Sequence, residues 1–391
     1  MRTVYLDHNA TTPVHPEVKE AVAPFLSEMF GNPSSIHWAG RSVRKAIEDA
    51  RQEIAAFFGS LPLEIVFTSS GTESDNLAIK GIALRKGNAG KHIVTSAVEH
   101  PAIMNTCRFL EGQGYRVTYA PVNRQGIVEP ESVRRAIGKD TILVSIMHAN
   151  NETGCVMPIG EIGRIAREAG VLMHTDAVQA AGKIPIDWKE LPVDLLTFSG
   201  HKVNGLKGAG GLIVRKGIEM EAVIHGGHQE RGRRGGTENV VGIVAMGKAF
   251  SLLRQGMAEE VRETRRLRDK FEKALFTRIP ELVLNGHSTD RLPNTLNISF
   301  RFVEGEALLL NLDMLGIACS SGSACTSGSL EASPILTAMG ADPVDSQGAL
   351  RFSFGRGNSD EDVAYAVDAI EAVVDKLRAM SPLFNREAKA R

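Results

Sequence analysis

The chain has 391 residues, 43% hydrophobic and 23% charged, enough to enclose more than one core. A formal net charge of −1 argues against nucleic-acid or membrane-surface partners, which draw on a basic excess. No stretch reaches the roughly 18–20 apolar residues of a membrane span, and the start, Met1-Arg-Thr-Val-Tyr-Leu-Asp-His-Asn, has no apolar signal core.

In chain order, Val43, Ile47 and Ile54 lie near one helical face, and Gly59 ends that pattern. From about Glu64 to Val214, short β-branched runs alternate with helical stretches. Strands are predicted at 65–68, 92–95, 141–147, 171–175, 195–198 and 211–214, with helices between them such as 72–85 and 161–169. This alternation predicts an α/β fold with a mostly parallel sheet covered on both faces. Ligands of such sheets bind at the carboxyl ends of the strands, so functional residues should fall just after strands. The basic run Arg231-Gly-Arg-Arg-Gly-Gly-Thr237 reads as a short solvated loop.

A second region begins near residue 256 with charged helical sequence, followed by a strand at 295–300, a helix at 304–315 and a Gly/Ser-rich loop. Ser359 caps a closing helix whose apolar face is Val363, Val367, Ile370, Val374 and Leu377. The four cysteines, Cys107, Cys155, Cys319 and Cys325, form no C-x-x-C pair and no disulfide framework. The chain therefore reads as cytoplasmic, with free thiols.

Four constellations carry chemistry. Ser199-Gly-His-Lys202 follows a strand, which poises the Lys202 amine over the ligand crevice for covalent catalysis; on spacing alone, Lys207 competes with it. Asp176, in His174-Thr-Asp-Ala-Val-Gln179, ends another strand and either caps a helix or faces a ligand. Thr68-Ser-Ser-Gly71-Thr72 turns from a strand into a helix, where backbone amides suit a phosphate. The run Ala318-Cys-Ser-Ser-Gly-Ser-Ala-Cys325-Thr-Ser-Gly-Ser329 has little side-chain bulk, so its cysteine is either an incidental thiol or a group carrier.

Together with Glu99-His-Pro101, Ala149-Asn-Asn-Glu-Thr-Gly154, Gln229-Glu-Arg-Gly-Arg-Arg234 and Ser321-Gly-Ser-Ala-Cys-Thr-Ser-Gly-Ser-Leu-Glu331, these blocks resemble the NifS/IscS cysteine desulfurases, nearly end to end. These are pyridoxal-phosphate (PLP) enzymes of the class V aminotransferase fold. The resemblance implies a fold type I transferase with a seven-stranded sheet in a large PLP-binding domain, 12–255. A small domain, 1–11 and 256–391, would carry a mobile loop at about 319–332. It implies that Lys202 binds PLP, Asp176 pairs with the ring nitrogen, Gln179 with the ring hydroxyl, and His100 stacks on the ring and moves protons. Gly71, Thr72, Ser199 and His201 would hold the phosphate, joined by Thr237 from a second subunit of a homodimer. Asn151 and Arg351 would bind the carboxylate of L-cysteine, and Cys325 would take its sulfur as a persulfide.

The implied partner is an iron–sulfur scaffold protein, IscU- or NifU-like, or another sulfur acceptor. No resident metal is implied, although Cys325 would meet a cluster transiently on such a scaffold. Details of the blocks lean toward the NifS branch. Three departures stand out. Cys319 replaces an expected small residue and is expected to be a buried apolar group rather than a disulfide partner of Cys325. Cys155 has no assigned role. His8 stands where Asn is more usual, which would alter contacts at the substrate entrance.

Overall fold

The computed structural model describes residues 2–321 and 333–384, apart from 86, 88, 89 and 383. β1 (Val4–Tyr5) opens the chain, followed by β2 (Ile65–Thr68), β3 (His92–Ser96), β4 (Arg116–Ala120), β5 (Thr141–Ser145), β6 (Leu172–Asp176), β7 (Leu195–Ser199) and β8 (Gly210–Val214). All but β1 join one seven-stranded sheet in the order β2-β8-β7-β6-β5-β3-β4. Only β8 runs against its neighbours. Every residue of β2, β3, β7 and β8 is buried, because helices cover both faces; that is why these strands read as continuous apolar runs. β4, at the sheet edge, is largely half-exposed and mixes Arg116 and Thr118 with its apolar residues, so its strand signal is weak.

A second sheet gathers β9 (Leu282–Leu284), β10 (Thr295–Phe300), β12 (Ser320–Ser321) and β13 (Ala349–Ser353) in the antiparallel order β12-β13-β10-β9. β1 pairs with β11 (Ile317–Ala318), so Val4 and Leu6 join the core of this half. The 39-residue helix Val240–Arg278 ties the halves together. Its first turns bury Met246 and Phe250 beside Phe58 and Phe198, and its last turns bury Phe271 against Phe352 and Phe354. Residue 256, where the sequence changes character, lies inside this helix.

The Arg-rich segment 231–237 is largely exposed, as its composition suggests, but the residue before it anchors it to the core. Glu230 and Arg231 are consecutive non-glycine residues at φ 45° and 59°, a strained left-handed pair. Glu230 is buried, and its carboxylate receives a fork from Arg51 (2.8 and 2.9 Å) and the Phe67 amide (2.9 Å). Arg234 is fixed in turn by Glu73, at 2.9 Å. Glu230→Ala leaves the buried Arg51 with the half-exposed Glu48 as its remaining acidic partner, at 3.2 Å. Destabilisation of about 3 kcal/mol is expected, the low end for breaking a buried pair, read as a fall in the denaturant midpoint.

Candidate active site

A cavity of about 710 Å³ opens at the carboxyl ends of the sheet strands. The turns after β2, β3, β5, β6 and β7 bring Gly71, Thr72, His100, Asn151, Asp176, Gln179, Ser199, His201 and Lys202 onto its wall, and β13 adds Arg351 from the second sheet. These are the residues singled out from the sequence, apart from two. Thr237 is exposed and does not line this chain's cavity, and Cys325 lies outside the described residues. Lys207 is exposed and away from the wall, which leaves Lys202 as the lysine inside.

Lys202 ends a short 3₁₀ turn, Gly200–Lys202, directly after β7. Its Nζ donates to the Asn9 carbonyl and, at 2.8 Å, to that of Ala10. Sequence reasoning gave neither residue a role, since a backbone acceptor has no side-chain signature. His8, expected at the substrate entrance, is instead 2% exposed and lies edge-on to Tyr5. A Cβ on Gly355 would fall 2.2 Å from His8 Nδ1, so this histidine fills the space under a glycine, away from the cavity wall.

At one end, the helix Gly71–Ala83 begins on the cavity wall and offers first-turn amides that no helical carbonyl uses. Gly71 is needed there, because a Cβ would meet Val178 Cγ2 at 2.8 Å. Gly210 of β8 is tighter still: a Cβ would lie 2.4 Å from the Ser70 carbonyl carbon. The Ser199 hydroxyl is buried beside this turn without a protein partner, and His201 Nδ1 meets Thr11 Oγ1 at 3.2 Å.

Toward the other end, Asp176 Oδ1 accepts the Val178 amide at 2.8 Å, and burial raises this carboxyl to about 6, against the pull of Val178 and Lys202. Asp75, also buried, is raised well above the usual range, first by burial and then by Asp176. Two neighbouring carboxyls in a dry site do not both ionise, so Asp75 holds the proton and Asp176 the charge. Glu99, raised to about 8 by burial, completes a buried acidic cluster; Ser96 and the Met147 amide bond to it.

His100 caps the helix Pro101–Glu111, its Nδ1 accepting the Ala102 amide at 3.1 Å. Burial, and then Lys202, lower it to about 4, so it is neutral and carries its proton on Nε2. Arg351 donates to the Asn151 carbonyl (3.0 Å) and Asp7 (2.8 Å), while its Nε and the Asn151 Oδ1 are buried without partners. The remaining cysteines are inert. Cys319 packs in the second core, its thiol pushed up by burial, as expected of a small apolar group. Cys155 donates to the Gln125 carbonyl at 3.0 Å and accepts the His287 amide at 3.1 Å.

This donor set fits a phosphorylated, cationic aromatic cofactor. Amides and an orphaned hydroxyl await an anion at one end, a buried carboxylate awaits a cation beyond it, and a lysine lies between. Fold and site together define a pyridoxal-phosphate enzyme. The class-V aminotransferase family model matches residues 4–365. A cysteine desulfurase IscS of Dictyoglomus turgidum is 51% identical over 97% of each chain, and one of Methanosarcina thermophila 52% over 99% of this chain and 95% of that one. A solved NifS-like protein superposes with a TM-score of 0.90 at 37% identity, covering 96% of this chain and all 100% of that one. SspA, solved in complex with cysteine, gives 0.80 at 36%, covering 90% and 99%. The chain thus belongs to the class-V aminotransferase family, in its cysteine desulfurase branch.

Glu99 makes stability depend on pH. The unfolded chain loses this proton near 4.5 and the folded chain near 8, so between those values unfolding releases a proton. The apoprotein's urea midpoint should therefore fall as pH rises from about 4.5 to 8. Glu99→Gln should flatten that slope; an unchanged slope would mean that Glu99 ionises normally.

Proposed function

We propose that this chain takes sulfur from L-cysteine onto Cys325, leaving alanine, with pyridoxal phosphate held on Lys202. One observation carries the reading. Two described residues on either side of Cys325 in the sequence meet the site that contains Lys202: Ser320 pairs with Arg351, and Ser333 donates to Glu152 on the cavity wall at 2.6 Å.

The cofactor, when bound, supplies an electron sink that acidifies the substrate's α-hydrogen. Asp176 holds the negative charge that keeps the ring nitrogen protonated, and neutral Asp75 behind it does not compete. Gly71, Thr72, Ser199 and His201 bind the phosphate through amides, a hydroxyl and an imidazole. Arg351, with its unpartnered Nε, and Asn151 hold the substrate's carboxylate. Lys202 Nζ takes the α-proton, while neutral His100 presents an Nε2–H donor at the wall. The Cys325 thiolate then bonds to the substrate sulfur as the carbon–sulfur bond breaks, so a persulfide stays on the protein.

The working unit is a homodimer. Thr237 is exposed and away from its own cavity, which suits a residue that serves a partner's phosphate site. Phe30, Ile36 and Trp38, at 77%, 90% and 72% exposure, supply apolar area for the contact. A cytoplasmic iron–sulfur scaffold, IscU- or NifU-like, receives the sulfur.

Cys325→Ala should abolish alanine and sulfide release in dithiothreitol while keeping the cofactor's visible absorption. Retained desulfuration would refute the role of Cys325. Sedimentation should give twice the 42.2 kDa chain mass, and Thr237→Ala should weaken cofactor retention roughly tenfold, the effect of about one lost hydrogen bond to a charged group.

A further inference from the structure

A second lysine stands behind the cavity. After β6 the chain makes a helical turn through Ala177 and Ala180, which sets Gln179 and Lys183 four residues apart on one side. Lys183 Nζ donates to Gln179 Oε1 at 2.9 Å, and Gln179 Nε2 donates to the Asn9 carbonyl at 2.9 Å. That same carbonyl accepts Lys202 Nζ. The two lysines are thus the ends of one hydrogen-bonded chain, Lys183–Gln179–Asn9–Lys202.

Lys183 does not line the 710 Å³ cavity. It borders, with Lys202, a hollow of about 30 Å³ on the far side, room for about one water. That hollow shares Glu260, Asn204 and Arg356 with an outer cleft of about 520 Å³. Lys183 thus faces a side of the site other than the substrate cavity.

We propose that Lys183 is a positioning residue for the reaction: its Nζ fixes the Gln179 amide with the oxygen turned outward, so that Gln179 serves as a donor on the cofactor side. Lysine only donates, so it requires Gln179 to turn its oxygen outward, leaving the second Nε2–H for the cofactor's ring oxygen. The charged and titratable groups around Lys183 are Lys202 and His201 after β7, Arg351 on β13, Arg356, His8, and Glu260 on the long helix. Burial, then Lys202 and Arg351, bring Lys183 down to about 7, and only Glu260 opposes them.

The inference rests on Lys202 as the cofactor lysine, which borohydride reduction and peptide mapping check separately. The test itself follows the visible absorption band of the bound cofactor and how tightly the folded protein retains it, since Gln179 is the donor whose direction Lys183 sets. In K183M the band should shift and retention should weaken roughly tenfold, the effect of about one misdirected hydrogen bond. K183R, which keeps the donor to the Gln179 oxygen, should restore both. Mapping to another lysine would overturn the base reading. Mapping to Lys202 with the same band and the same retention in the folded K183M protein as in wild type would overturn the role of Lys183 alone.

Discussion

Asn9 joins the two halves of the molecule at Lys202. Its amide donates to Ser353 Oγ at 2.8 Å, and its side chain bonds to Thr295 and Asn294, all in the second half. Its carbonyl faces the first half and collects Lys202 and Gln179. A peptide carbonyl held by its own side chain and amide has little freedom to drift, so the Lys202 amine is placed by the relation between two sheets. Arg351 repeats the pattern, since its strand belongs to the second sheet while its partners, Asp7 and the Asn151 carbonyl, come from the N-terminal segment and the turn after β5.

Burial sets the charges in this cavity. Asp176 stays the anion because Asp75 and Glu99, drier and crowded by their neighbours, keep their protons. His100 and His201 are neutral for the opposite reason: desolvation disfavours their cationic forms, and Lys202 adds to the effect. The site is thus a small number of opposite charges held among neutral donors, an arrangement that retains its strength where water is scarce.

The blocks after each sheet strand were legible because a ligand at the carboxyl ends of parallel strands demands them there, and the turns after β2, β6 and β7 follow that rule. Asp75 and Glu99 sat within blocks already singled out, yet carried no role, because their protonation depends on neighbours far apart in sequence. Lys183 was invisible for the same reason. The anchor of the Arg-rich run was illegible, since nothing local shows that Arg51 lies opposite Glu230.

By itself, the sequence determined the order of strands and helices, the mostly parallel sheet and the family. Period and turn signals are local, and motif spacing survives in one dimension. The resemblance had already chosen Lys202 over Lys207; only the tertiary structure decided that Asp75 and Glu99 crowd Asp176 and that His8 is packing rather than entrance. These are matters of direction and burial, which depend on how two sheets and one long helix close around the same space.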